Sequence, residues 1–151
     1  MTALSANKKR YKRGDFELAP IAMLAADSIE IYEGSILMDN GSGKLTVAAD
    51  TAAAYVLGVS RYRHTTGTAA ATYPTVDRPG QGAAEWFAQD GNITAAMIGT
   101  WAVVLDDATA TNATTATNDV PLGRIEQLET IAGVSGVWLS GVGAFATIVA
   151  P

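Results

Sequence analysis

Several places in this chain gather residue types that could do chemistry, and their spacing tests each one. Gly41-Ser42-Gly43-Lys44 has the glycines and the lysine of a phosphate-binding loop. The full pattern requires Gly at position 38 and Ser or Thr at position 45, where this chain carries Met38 and Leu45. Asp39-Asn40-Gly41-Ser42-Gly43 reads instead as a hairpin turn, rich in residues that tolerate positive φ. Gly141-Val142-Gly143-Ala144-Phe145-Ala146 fits a loose dinucleotide pattern. That chemistry needs a helix N-terminus to hold the pyrophosphate. The few residues after Ala146 read as strand, and no acid follows for a ribose.

His64 is the single histidine and stands beside Arg61 and Arg63. General-base work would need a nucleophile or carboxylate next to it in space, so His64 reads as solvated or facing a partner. Asp106-Asp107 follows an apolar strand. Carboxylate pairs bind hard cations, but neighbours in a strand point to opposite faces. A solvated turn is the expectation there. Asn40, Asn92 and Asn112 head N-x-[ST] sequons that read as chance without a secretory signal. The chain has no Cys, which removes disulfides, thiolate nucleophiles and cysteine-based zinc sites. The expectation is a non-enzymatic protein with no catalytic residue, no cofactor and no metal site.

The sharpest polar feature is Lys8-Lys9-Arg10-Tyr11-Lys12-Arg13. It could lie on an acidic protein surface, bind nucleic acid through phosphates with Tyr11 stacking, or stand as a solvated terminus. Residues 1–13 carry five basic charges and no acid, so the net charge of −5 divides into +5 on this arm and −10 on the rest. An acidic body argues against a broad nucleic-acid surface. Residues 1–15 are expected to form a basic extended arm, disordered until bound. Residues 16–151 are expected to form one β-rich domain, since the length suits a single unit.

The elements that would carry these residues are short strands. Phe16–Leu24 opens the apolar part, with Pro20 favouring a sheet edge. Ile29, Ile31 and Ile36–Met38 suggest two strands, and 35–49 reads as a hairpin. Tyr55–Arg63, Ala83–Gln89 and Thr100–Asp106 are β-branched and aromatic. Thr65–Thr75 and the low-complexity Ala108–Asp119 read as loops. Asn92–Gly99 reads as a short helical turn or a strand. Val120–Leu128, Val134–Ser140 and Ala144–Val149 complete the pattern. No long segment keeps a helical apolar period, so the chain is expected to be all-β, a small barrel or sandwich with long loops.

Apolar residues make up 48% of the chain, but 28 of them are Ala. Such a lean core suggests support from a partner surface or an oligomer. Asp15, Glu17 and Pro20 interrupt any signal-peptide reading of the start. The uncharged tail, Thr130–Pro151, is long enough to span a bilayer. Its repeated Gly and Ser favour strands around a turn, so no membrane is expected.

The chain also resembles the capsid cement, or head-decoration, proteins of tailed bacteriophages. The resemblance begins with Met1–Asn7 ahead of the basic run and continues through Leu18–Ala22. Ile31-Tyr32-Glu33-Gly34-Ser35-Ile36-Leu37 is similar to the family's "I-Y-x-G-x-h-V" strand pair. Leu45–Thr51, Val56–Val59, Ile93–Gly99, Trp101–Asp107, Leu122–Ile125 and Gly136–Leu139 follow in the family's order. Met97 stands where the family has an acid, and residues 140–151 extend past its usual end. The resemblance implies a structural protein made in the host cytoplasm that binds the outer surface of the virion head. It implies the major capsid protein and further copies of itself as partners, with a homotrimer ahead of a dimer. The alternative from residues alone is a nucleic-acid-binding module acting through the basic arm.

Overall fold

The computed structural model describes residues 3–21, 23–39, 41–52, 54–68, 71 and 73–143. The fold is all-β. Its described residues form thirteen strands and one 3-10 turn at Ala95–Met97. The strands are β1 (Lys12–Arg13), β2 (Phe16–Pro20), β3 (Glu30–Ile31), β4 (Ile36–Asp39), β5 (Leu45–Val47), β6 (Tyr55–Ser60) and β7 (His64–Thr65). They continue as β8 (Thr75–Pro79), β9 (Ala84–Gln89), β10 (Trp101–Val104), β11 (Thr109–Thr111), β12 (Pro121–Ile131) and β13 (Val134–Ser140).

Two larger sheets face each other. One runs β1-β9-β11-β10-β12-β13, with β13 pairing back to β9; the other runs β2-β8-β6-β4-β5. A third, two-stranded sheet joins β3 to β7. The main core lies between the two large sheets. Ile36, Met38, Val56 and Val59 meet Phe87, Val104, Leu122, Ile125, Val137 and Leu139 there. A second cluster covers the other face of β4, β6 and β8, where the segment around Ile21, Ala25 and Ile31 packs on Leu37, Leu57 and Val76. A third, on the outer face of β9 and β13, is built on Trp86 and Trp138.

The turns follow the local chemistry. β4 and β5 form the expected hairpin, with Leu37 opposite Val47 and Asp39 opposite Leu45. Gly41 and Gly43 take positive φ in its loop. β12 and β13 join through Ala132 and Gly133, both at positive φ, as a two-residue hairpin turn demands. β2 lies at a sheet edge, which tolerates the missing N–H of Pro20.

Two expectations need correction. The Thr/Ala-rich stretch after Ala108 is not wholly a loop, because Thr109–Thr111 inserts as β11 between β9 and β10 with all three residues buried. Small and β-branched side chains suit that tight interior position. The arm, expected to be extended and disordered until bound, is ordered against the body. It lies along the body, and its last two basic residues pair with Glu85 and Ala84 of β9. The expected strand Ala144–Val149 lies outside the described residues. Among the described residues, no helix is long and apolar enough to cross a membrane.

Candidate functional site at the junction of arm and body

The arm alternates as an extended chain must, with successive side chains on opposite sides. Arg10 and Lys12 turn toward the space between the sheets. Tyr11 and Arg13 turn toward the outer face of β9 and β13. There Tyr11 meets the Trp86 ring edge-on, with centroids 5.7 Å apart. The Arg13 guanidinium sits 3.9 Å above the Trp138 ring. It donates to Gln127 Oε1 at 2.7 Å and Glu129 Oε2 at 3.1 Å. Trp138 Nε1 donates to the same Glu129 oxygen at 2.5 Å.

The inner face is polar as well. Arg10 Nε and Nη2 donate to the Gly34 carbonyl at 2.9 and 2.7 Å, and Nη1 reaches the Ala108 carbonyl at 3.2 Å. The guanidinium also lies 4.5 Å over the Phe87 ring. Lys12 Nζ contacts the Asp77 carboxylate, and Arg61 Nη1 stands 3.8 Å from the same oxygen. Asp77 and Glu85 are both buried. Neither oxygen of Glu85 has a hydrogen-bond partner among the described residues. Burial pushes the Glu85 carboxyl up to about 7, against the pull of Arg10 and Lys12 and with a push from Asp77.

Further hydrogen bonds lay the arm down. Lys8 N donates to the Glu33 carbonyl at 2.8 Å, and Glu33 N donates to Asn7 Oδ1 at 3.0 Å. Leu4 N donates to Asp107 Oδ1 at 2.8 Å, and Ser35 Oγ donates to Asp107 Oδ2 at 3.0 Å. Gly34 makes the crossing possible. It has φ +90°, and a Cβ there would lie 2.1 Å from the Lys8 carbonyl oxygen. A cleft of about 190 Å³ opens beside the crossing. Lys8, Lys9, Arg10, Lys12 and Arg61 supply its cations, against Glu33 and Asp77.

No family model, no curated protein and no solved structure matches this chain.

The fold therefore brings the whole basic run to one place but uses much of it internally. Arg10, Tyr11, Lys12 and Arg13 have partners within the chain. Lys9 is exposed. Lys8 is part-buried, and desolvation together with Arg10 lowers its pKa. His64 sits in β7, away from this cluster, with its Nε2 buried and unpartnered among the described residues and its pKa lowered by burial. The expected solvated turn at Asp106-Asp107 is half right. Asp106 accepts from Ala108 N at 2.8 Å in the turn, whereas Asp107 is buried and anchors the arm. Burial raises the Asp107 carboxyl, against the bonds from Leu4 and Ser35.

Sequence reading missed Glu85 and Asp77. The signal for Glu85 was parity. In Ala84–Gln89 it shares the inward face with Phe87, which is no ordinary place for an acid. Asp77 carries no comparable signal, because no strand is expected between the loop Thr65–Thr75 and Ala83, where β8 lies.

Proposed function

We propose that this chain is a structural capsid-decoration protein that binds the outside of a phage head and stabilises it by bridging capsomers. The ordered run of motifs from Met1 to Leu139 carries the reading. In this fold, Ile31–Leu37 supplies the end of β3, Gly34 under the arm, and the start of β4. Trp101–Val104 and Val134–Ser140 supply β10 and β13 of the same sheet. The motifs that resemble the cement family are thus the segments that build the sheets and seat the arm.

The architecture fits a mechanical role. The sheets are stiff, the polar clusters at the junction tie the chain to itself, and a lean core gains stability when an assembled surface is bound. Many weak contacts repeated over a symmetric shell give avidity. Lys8, Lys9 and Arg61, around the open cleft, are the cations that would meet acidic groups of the coat protein. Copies of the chain are expected to meet one another on the shell, a trimer ahead of a dimer.

Cryo-microscopy of heads incubated with the purified chain tests this. Density outside the shell, repeated at symmetry-related sites, is the expected result. Bare heads beside a chain that shifts DNA in a salt-sensitive way would favour the nucleic-acid reading.

A further inference from the structure

Lys12, Asp77 and Glu85 come from three strands in two sheets and meet at one place. Lys12 of β1 contacts the Asp77 carboxylate of β8 through Nζ. Glu85 of β9 stands directly opposite Lys12 in the antiparallel register, so the two side chains share a face. Asp77 is 4% exposed and Glu85 1%. A buried carboxyl with both oxygens unpartnered costs stability and marks a candidate for chemistry.

We propose that Lys12 and Asp77 form an intramolecular isopeptide bond, with Glu85 as the proton relay. One proton first moves from the Lys12 ammonium to the Asp77 carboxylate, giving a neutral amine and a neutral acid. Nζ then attacks Cγ, making the C–N bond and a tetrahedral centre. A side-chain rotation that brings Glu85 into hydrogen-bond reach of this centre lets its acid form give a proton to the departing oxygen and take one from the nitrogen. The C–O bond breaks and one water leaves. The product is a secondary amide, and Glu85 returns to its starting form. No oxidant, nucleotide or other co-reactant is consumed.

The surroundings suit the condensation. Burial keeps the Glu85 carboxyl protonated up to about 7, so its acid and base forms coexist near neutral pH. Arg61, 3.8 Å from Asp77 Oδ2, places positive charge beside the oxygen that gains negative charge. The strands hold amine and acid together, which makes the condensation unimolecular. Both residues also line the open cleft, which gives the water an exit. The bond would fasten the arm to the opposite sheet in a chain that has no Cys.

Intact-mass spectrometry under denaturing conditions tests the proposal on the full chain purified at neutral pH. The expected mass is one water below that of the sequence, allowing for removal of Met1. A protease digest should yield a branched peptide joining the segment around Lys12 to the segment around Asp77. Lys12→Arg and Asp77→Ala should show the full mass. Glu85→Gln keeps the side-chain shape and should also show the full mass, with an unchanged far-UV spectrum. Full mass in the folded parent chain overturns the proposal whatever the variants do. So does a water loss that persists in Lys12→Arg. Persistence in Glu85→Gln overturns the relay. The mass is read on the isolated chain, so the result is independent of capsid binding.

Discussion

Arg10 donates twice to a single carbonyl, that of Gly34, through Nε at 2.9 Å and Nη2 at 2.7 Å. The fork closes over a residue that must lack a side chain, because the arm passes directly above it. The basic run is therefore a fastener within the chain.

Replacing Arg10 with Ala removes both bonds, together with the one to the Ala108 carbonyl, and uncovers the Gly34 carbonyl. Hydrogen bonds to charged groups contribute about 1.5–3 kcal/mol, so urea unfolding should show a loss of roughly 2–3 kcal/mol. Arg10→Lys should recover only part of it, since an ammonium cannot reproduce the planar fork.

Gly34→Ala should loosen the arm without changing any arm charge. Its Cβ would meet the Lys8 carbonyl at 2.1 Å, on a backbone at φ +90°. Faster amide exchange at Lys8 N and Leu4 N, with β9 and β13 still protected, is the expected pattern. Removing residues 1–13 should destabilise further, because β1 and the Leu4 bond to Asp107 go with them.

Trp86 lies across Gly136, where an added Cβ would fall 2.0 Å from the ring. Gly136→Ala should therefore cost about 1–3 kcal/mol, as overpacking does. Trp138→Ala should cost roughly 3–5 kcal/mol, because that ring is buried under Arg13 and bonded to Glu129. Chemical denaturation of both variants checks the pair.

Glu85 gives a pH dependence with a definite sign. Its folded pKa is raised from 4.5 to about 7, with Arg10, Lys12 and Asp77 as its charged neighbours. A raised carboxyl contributes stability that is full below the unfolded value and is lost as pH climbs through the folded one. The effect is cleanest in Lys12→Arg, which keeps the positive charge but carries no amine nucleophile. That chain should lose stability between about pH 4.5 and 7, on the order of 3 kcal/mol from this group. Adding Glu85→Gln should flatten the window. Thermal melts across the range read it directly.

Much of the fold was legible because it follows local chemistry. Gly41 and Gly43 announce the β4–β5 turn, and the β-branched and aromatic run Tyr55–Ser60 announces β6. β11 was hidden because Thr-Ala-Thr has the composition of a loop and only its neighbours bury it. The site was legible in part. Charge singled out Lys8–Arg13, but the fastening of Arg10 depends on Gly34 and Ala108, which are distant in sequence. Lys12 gave no hint of Asp77, since a register between two sheets is a tertiary fact.

The proposed coating of a phage head can be measured directly. Purified chain should be mixed with undecorated expanded heads of a tailed phage whose genome carries this sequence, if the proposal holds, and the heads sedimented over a range of chain concentrations. The account predicts saturable co-sedimentation at a fixed ratio to the coat protein, and decorated heads that release DNA at a higher temperature than bare ones. A chain that stays in the supernatant at every concentration, with head stability unchanged, would contradict it.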